Sequence, residues 1–167
     1  MRKSVLATVA VLVLVPFGAF SQSPDDPAIV AAKKETAIVY DLARFFGFLD
    51  TMEQENPKLA LSKDQLAEVY AVMQKLKGME RVEPDAAEEL LVHLEDDVLT
   101  PEQLMEVDQL IIAREQERST QETGTGGGDG GLITSYIDGG AFNPMTNTGR
   151  KMGDDFLAYL ESVRRRL

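Results

Sequence analysis

A nine-residue pattern occurs twice in this chain, 38 positions apart. Leu61-Ser62-Lys63-Asp64-Gln65-Leu66-Ala67-Glu68-Val69 and Leu99-Thr100-Pro101-Glu102-Gln103-Leu104-Met105-Glu106-Val107 both read L-[ST]-x-[DE]-Q-L-x-E-V. A hydroxyl residue followed three positions later by Gln is a capping box, in which the hydroxyl accepts a backbone N–H of the first turn and the amide bonds back to the cap. Ser62 with Gln65, and Thr100 with Gln103, therefore mark two helix starts. Capping accounts for these four residues. It leaves unexplained Leu61 and Leu99 before the caps, which suit one half of a hydrophobic staple, and the Leu-x-x-Val that follows each box. Two readings stand: caps that look alike because good caps do, or a repeated structural unit.

Helical periodicity continues on both sides of the motifs. Over 28–55, Ile38, Leu42, Phe45, Leu49 and Met52 are spaced 4, 3, 4, 3, a heptad seam that Val39, Phe46 and Phe48 widen. Asn56-Pro57 ends that helix, because the residue before proline leaves the helical region. The helix capped by Ser62 carries Leu66, Val69, Met73 and Leu76 on one face, and Gly78 suggests a left-handed stop. A third helix starts at Pro84 with Asp85 in its first turn, and its stripe is Ala87, Leu91, Leu94 and Val98. The helix capped by Thr100 has Leu104, Val107, Leu110 and Ile111 and fades near 118. Short polar connections make neighbours antiparallel, which predicts helical hairpins. No alternating pattern of any length predicts a sheet.

Composition then changes. Residues 119–131 include six glycines, a flexible linker too poor in apolar groups to offset its ordering entropy. Short apolar pieces follow, Leu132 to Ile137 and Phe142 to Met145, suited to an extended strap on the helical core. A last helix places Phe156, Leu160, Val163 and Leu167 on one face, with acids at its start and Arg164, Arg165 and Arg166 at its end.

The N-terminus has the parts of a secretory signal. Arg2 and Lys3 precede an apolar run over 5–15, and Ala19 and Ser21 offer small residues to a peptidase. The run is shorter than the roughly 20 residues a spanning helix needs, so the membrane is met only transiently, during export. Cleavage after Ser21 moves the net charge from -11 to -13, since Arg2 and Lys3 leave. The acid excess speaks against nucleic acid or anionic lipid as a partner. Without cysteine there are no disulfides or thiolate metal sites.

The expected organisation is an all-α protein, antiparallel helical hairpins forming a small helical bundle: signal peptide 1–21, disordered leader 22–27, helical domain 28–118, Gly-rich flexible segment 119–150 and C-terminal helix 151–167. The expected location is the periplasm or the exterior.

Leu61-Ser62-Lys63-Asp64-Gln65 and Leu99-Thr100-Pro101-Glu102-Gln103 resemble the paired LTxxQ motifs of the Spy and CpxP group, small all-helical periplasmic proteins of envelope stress responses. The likeness covers roughly 61–118. It implies helical architecture, a chaperone-like or regulatory role and, from the group's cradle-shaped member, a dimer. The first copy has Ser for Thr, the chain is acidic where the family's chaperone is basic, and the Gly-rich tail has no counterpart.

Chemistry-bearing residues are sparse. His93 is the lone histidine, with Glu89 and Asp97 four residues to either side. That face would chelate a divalent ion only weakly, and a solvated helix face is the favoured reading, so no metal or cofactor is expected. No nucleophile–base pair is legible, and no enzyme is expected. Phe46 and Phe48 diverge around one helix, so one of them is expected to stay exposed and to contact a protein partner, an unfolded client or a second copy in a homodimer. The sequence thus predicts an exported, non-enzymatic protein that binds unfolded clients or a regulatory partner, or an adaptor for one defined envelope protein.

Overall fold

The computed structural model describes residues 26–120 and 130–167; the expected signal peptide, most of the leader and residues 121–129 of the glycine-rich stretch lie outside the described residues. The fold is all-α. The helices are α1 (Pro27–Glu35), α2 (Ala37–Glu55), α3 (Lys63–Lys77), α4 (Pro84–Val92), α5 (Pro101–Thr120), α6 (Gly130–Ile137) and α7 (Lys151–Arg166). Among the described residues the sole β pairing is an isolated parallel bridge between Arg81 and Phe142.

The single helix expected over 28–55 is two helices. Thr36 breaks it: its buried hydroxyl donates to Ala32 O at 2.7 Å, competing with the backbone ladder. Gly78 is not a left-handed stop either. Its φ is -79°, and its N–H bonds back to Gln74 O and Lys75 O within a right-handed turn. The third helix tightens into α4 and then widens to a π-helical turn, His93–Val98, where Leu99 N–H reaches Leu94 O at 3.0 Å. That wider turn brings Leu94, Val98 and Leu99 all into the core.

The helices pair around α2 more than as successive hairpins. The principal packings are α2 on α4, α5 and α7, α3 on α7, and α1 on α6. The reason is the breadth of the apolar surface on α2. Val39, Leu42, Ala43, Phe45, Phe46, Leu49 and Met52 are all buried, too wide a stripe for one partner to cover. By contrast α5 buries only Gln103 and Val107 among residues 101–117, and Leu104, Leu110 and Ile111 are half-buried.

The sequence reads segment 119–150 as flexible, with an extended strap on the core. Its described part does lie on the core, but folded into a helix and a turn where an extended strap is expected. Gly130–Ile137 is helical, Pro144–Thr146 is a 3-10 turn, and Phe142, Asn143, Pro144 and Met145 are buried. Asn143 is the anchor. Its Nδ2 donates to Leu76 O and Met79 O, each at 2.8 Å, which satisfies carbonyls at the C-terminus of α3, and its Oδ1 accepts Met145 N–H. Val82 N–H to Phe142 O (2.7 Å) and Phe142 N–H to Glu80 O (3.0 Å) add backbone bonds. Phe142 packs edge-on against Tyr40 and Tyr136. Arg81 stacks 4.2 Å over the Tyr136 ring and donates to Tyr136 O and Gly140 O. Tyr136 OH donates to Glu35 of α1; burial first, then that carboxylate, pushes its phenol up to about 12. Glycines supplied the flexible look, but the apolar and amide side chains between them supply the ordering energy.

Candidate functional site

The two copies of the repeated pattern meet. Each forms a complete capping box. Ser62 Oγ accepts Gln65 N–H and Gln65 Oε1 accepts Ser62 N–H, while Thr100 and Gln103 do the same at equal distances of 3.3 and 2.9 Å. Each glutamine amide then reaches across. Gln65 Nε2 donates to Gln103 Oε1 at 2.6 Å and to Val98 O at 2.8 Å. Gln103 Nε2 donates to Leu59 O at 3.0 Å. Each glutamine thus caps its own helix and holds the chain that leads into the other. Leu61 and Leu99 are buried beside this clasp, at 5% and 7% exposure. Glutamine suits both positions because its amide oxygen accepts from its own cap while its amide N–H groups donate to the other side.

A second network pins α7 across the same end of α2. The Glu53 side chain, 7% exposed, accepts Leu61 N–H at 2.8 Å, Tyr159 OH at 2.9 Å and a bidentate pair from Arg166 at 2.8 and 2.6 Å. Burial alone would raise this carboxyl, but the bonds from Arg166, Leu61 N–H and Tyr159 outweigh it, and its pKa lies below the ordinary 4.5. The same burial and carboxylate push the Tyr159 phenol far up. Glu53 carried no sequence signal, since Tyr159 and Arg166 lie 106 and 113 positions away.

Phe46, expected as a candidate partner contact, is not at the surface. It is fully buried and packs edge-on against Phe156 of α7, ring centroids 5.3 Å apart. The C-terminal helix covers the face that the 28–118 pattern leaves open. Phe48 is half-buried and lines two grooves on either side of the outer half of α5. The first, about 590 Å³, lies between α2, α5 and the start of α7, with Ala43, Gly47, Phe48, Leu110, Ala113 and Met152 as its apolar lining. The second, about 350 Å³, lies between α2, α5 and the α4 side, with Ile38, Phe45, Phe48, Leu91 and Ile111. Arg44 and Arg114 border both. Each is committed to an acid on its own helix: Arg44 to Asp41, and Arg114 to Glu117 at 3.1 Å. Lys151 is likewise paired with Asp155 at 2.5 Å.

His93 lies between two acids. Its Nδ1 lies 2.9 Å from Asp97 Oδ2, and its Nε2 is 3.8 Å from Glu68 of α3. Among the described residues no cluster of three or more His, Asp or Glu side chains is placed to hold a metal ion. None of the described helices is long and apolar enough to cross a membrane.

Comparison with protein-family models, with curated proteins and with solved structures finds no match to this chain.

Proposed function

We propose that this chain is an exported, non-enzymatic binding protein of the kind that the LTxxQ motifs suggest, and that it takes an apolar segment of another protein, an unfolded client or a regulatory partner, in the groove floored by Phe48. The observation that carries the reading is the incomplete cover of α2. Among the described residues its other apolar faces pack against α4 and α7, yet along Phe48 the outer half of α5 leaves about 590 Å³ open on one side and about 350 Å³ on the other. Concave apolar space with a few polar borders is where proteins hold ligands. A binding role suits this lining better than a catalytic one. The groove arginines and Lys151 are tied to neighbouring carboxylates, the chain has no cysteine, and its one histidine lies beside Asp97.

The LTxxQ-like motifs serve this reading as architecture. The clasp of Gln65 and Gln103 fixes the starts of α3 and α5, and α5 in turn sets the width of both grooves. The test is suppression of light scattering by unrelated denatured proteins, alongside capture of partners from an envelope extract. Suppression of several clients, reduced in Phe48→Ala, supports a chaperone role. Capture of one defined protein through Phe48 supports the adaptor role. The groove reading is abandoned when a folded Phe48→Ala protein performs both as well as the parent.

A further inference from the structure

The second groove is distinguished by charges that its own neighbours leave unanswered. Glu95, from the π-helical turn, and Glu115, from α5, both line it. Neither is in an ion pair among the described residues; Arg44 and Arg114, which line the same groove, pair instead with Asp41 and Glu117. Asp108 and Asp96 crowd Glu95 further: burial first, then these two carboxylates, hold its carboxyl above the usual range. The same groove presents Ile38, Phe45, Phe48, Leu91 and Ile111. Apolar floor and unpaired acids therefore lie within one concavity of about 350 Å³.

We propose that this groove takes a basic amphipathic segment of a protein partner, its apolar side chains against Phe48 and Ile111 and a Lys or Arg beside Glu95 and Glu115. The inference rests on the binding role proposed above and adds the chemistry of what is bound. Complementarity of charge selects this occupant. A cationic group relieves the repulsion among Glu95, Asp96 and Asp108, whereas an acidic segment increases it. A second copy of this chain is disfavoured on the same ground, since it brings a net charge of -11 of its own. Specificity then comes as much from rejection of acidic segments as from attraction of basic ones.

The experiment uses the purified protein and fluorescently labelled peptides of equal length in four patterns: Leu/Lys, Leu/Glu and Leu/Gln with amphipathic spacing, and Ser/Lys without apolar residues. Binding is read by anisotropy at low salt and at about 0.5 M salt. The Leu/Lys peptide is expected to bind most tightly, to weaken with salt, and to lose about threefold to fivefold in affinity for each of Glu95→Gln and Glu115→Gln. Leu/Gln is expected to bind more weakly, with no change in those variants. Phe48→Ala is expected to weaken every peptide that binds. Both Gln variants keep shape and remove one exposed or half-exposed charge, so their helical dichroism and melting serve as folding controls. Equal affinity for Leu/Lys, Leu/Gln and Leu/Glu overturns the charge preference while leaving the groove in use. Tight binding of Ser/Lys at the Leu/Lys level overturns the apolar half of the proposal. Failure of all four to bind removes the groove reading together with this one.

Discussion

Gln65 Nε2 lies 2.6 Å from Oε1 of Gln103, the residue that holds the same place in the second copy of the repeated pattern. This contact joins two caps that the sequence marks only separately. Here the two boxes join, and each amide also holds a carbonyl of the chain entering the other helix. Gln103 is the more buried, at 4% exposure. Its replacement by Ala strips an acceptor from Thr100 N–H and a donor from Leu59 O. We expect a loss of about 2–3 kcal/mol for Gln103→Ala and about 1–2 for Gln65→Ala. Because the amides share a bond, the double variant should fall short of the sum by about 0.5–1 kcal/mol. A double-mutant cycle on urea unfolding reads this directly, and strict additivity would refute the clasp.

Glu53 gives the fold an acid-sensitive joint. Its pKa is lower in the folded protein than the ordinary 4.5 that an unfolded chain would show. A carboxyl of that kind contributes stability in full above the unfolded value, and the contribution disappears as pH falls from 4.5 through the lower folded value. At neutral pH, Glu53→Gln should cost about 2–4 kcal/mol, because Arg166 loses its charged partner and the buried bonds weaken. Near about pH 3 the gap between parent and variant should narrow. Thermal melts of the two proteins across the acid range measure it. A gap that is constant with pH would mean that Glu53 acts by packing alone.

Two glycines should respond in opposite directions to the same added methyl. At Gly153, in the first turn of α7, a Cβ would sit 2.4 Å from Asn147 O and 2.8 Å from its carbonyl carbon. Backbone cannot swing aside as a flexible side-chain end does, so Gly153→Ala should cost about 2–3 kcal/mol. At Gly47, inside α2, nothing lies within 4 Å of the same Cβ. Gly47→Ala should therefore stabilise by about 0.5–1 kcal/mol through helix propensity. Urea midpoints of the pair give the comparison, with the parent as reference.

Asn143 carries the docking of the tail. It is 6% exposed and satisfies two carbonyls from the end of α3 together with one N–H of its own turn. Asn143→Ala should cost about 2–3 kcal/mol by leaving those groups buried and unbonded. The loss should be uneven along the chain. Amide hydrogen exchange should speed up over Gly130–Ile137 and Pro144–Thr146 before it does in α2. Uniform acceleration would instead make the tail part of one cooperative unit with the bundle.

Element type was legible because each helix states it locally. The capping boxes at Ser62 and Thr100, Pro84 at the start of α4, and the spacing of Leu66, Val69, Met73 and Leu76 all act within one turn or one face. What the sequence did not reveal is set by distance. Glu53 looks like any acid on a helix until Arg166, 113 positions on, returns to it. Phe46 reads as a candidate for exposure when α7 is treated as a separate tail, and as core once Phe156 closes over it. Glycine content misled in the same way. Gly130 and Gly131 stand in a helix held by Ile133 and Tyr136, a packing effect that composition does not carry. The Phe48 groove is a shortfall in cover along α5, and periodicity reports which face is apolar but not how fully a partner helix covers it.

That difference between Phe46 and Phe48 is itself testable. Phe46 has no exposure and a ring partner in Phe156, so Phe46→Ala should destabilise by about 3–5 kcal/mol. Phe48 is half-buried and borders open space on two sides, so Phe48→Ala should cost only about 1–2 kcal/mol. Binding should sort them the other way. At a temperature where both variants are folded, Phe46→Ala should keep the parent's client suppression and partner capture, because its side chain never reaches the groove. Phe48→Ala should lose most of both. Unfolding curves establish the first ordering, and scattering and capture assays on the same preparations establish the second. A common ordering in the two measurements would mean that binding merely follows stability and that the groove has no role of its own.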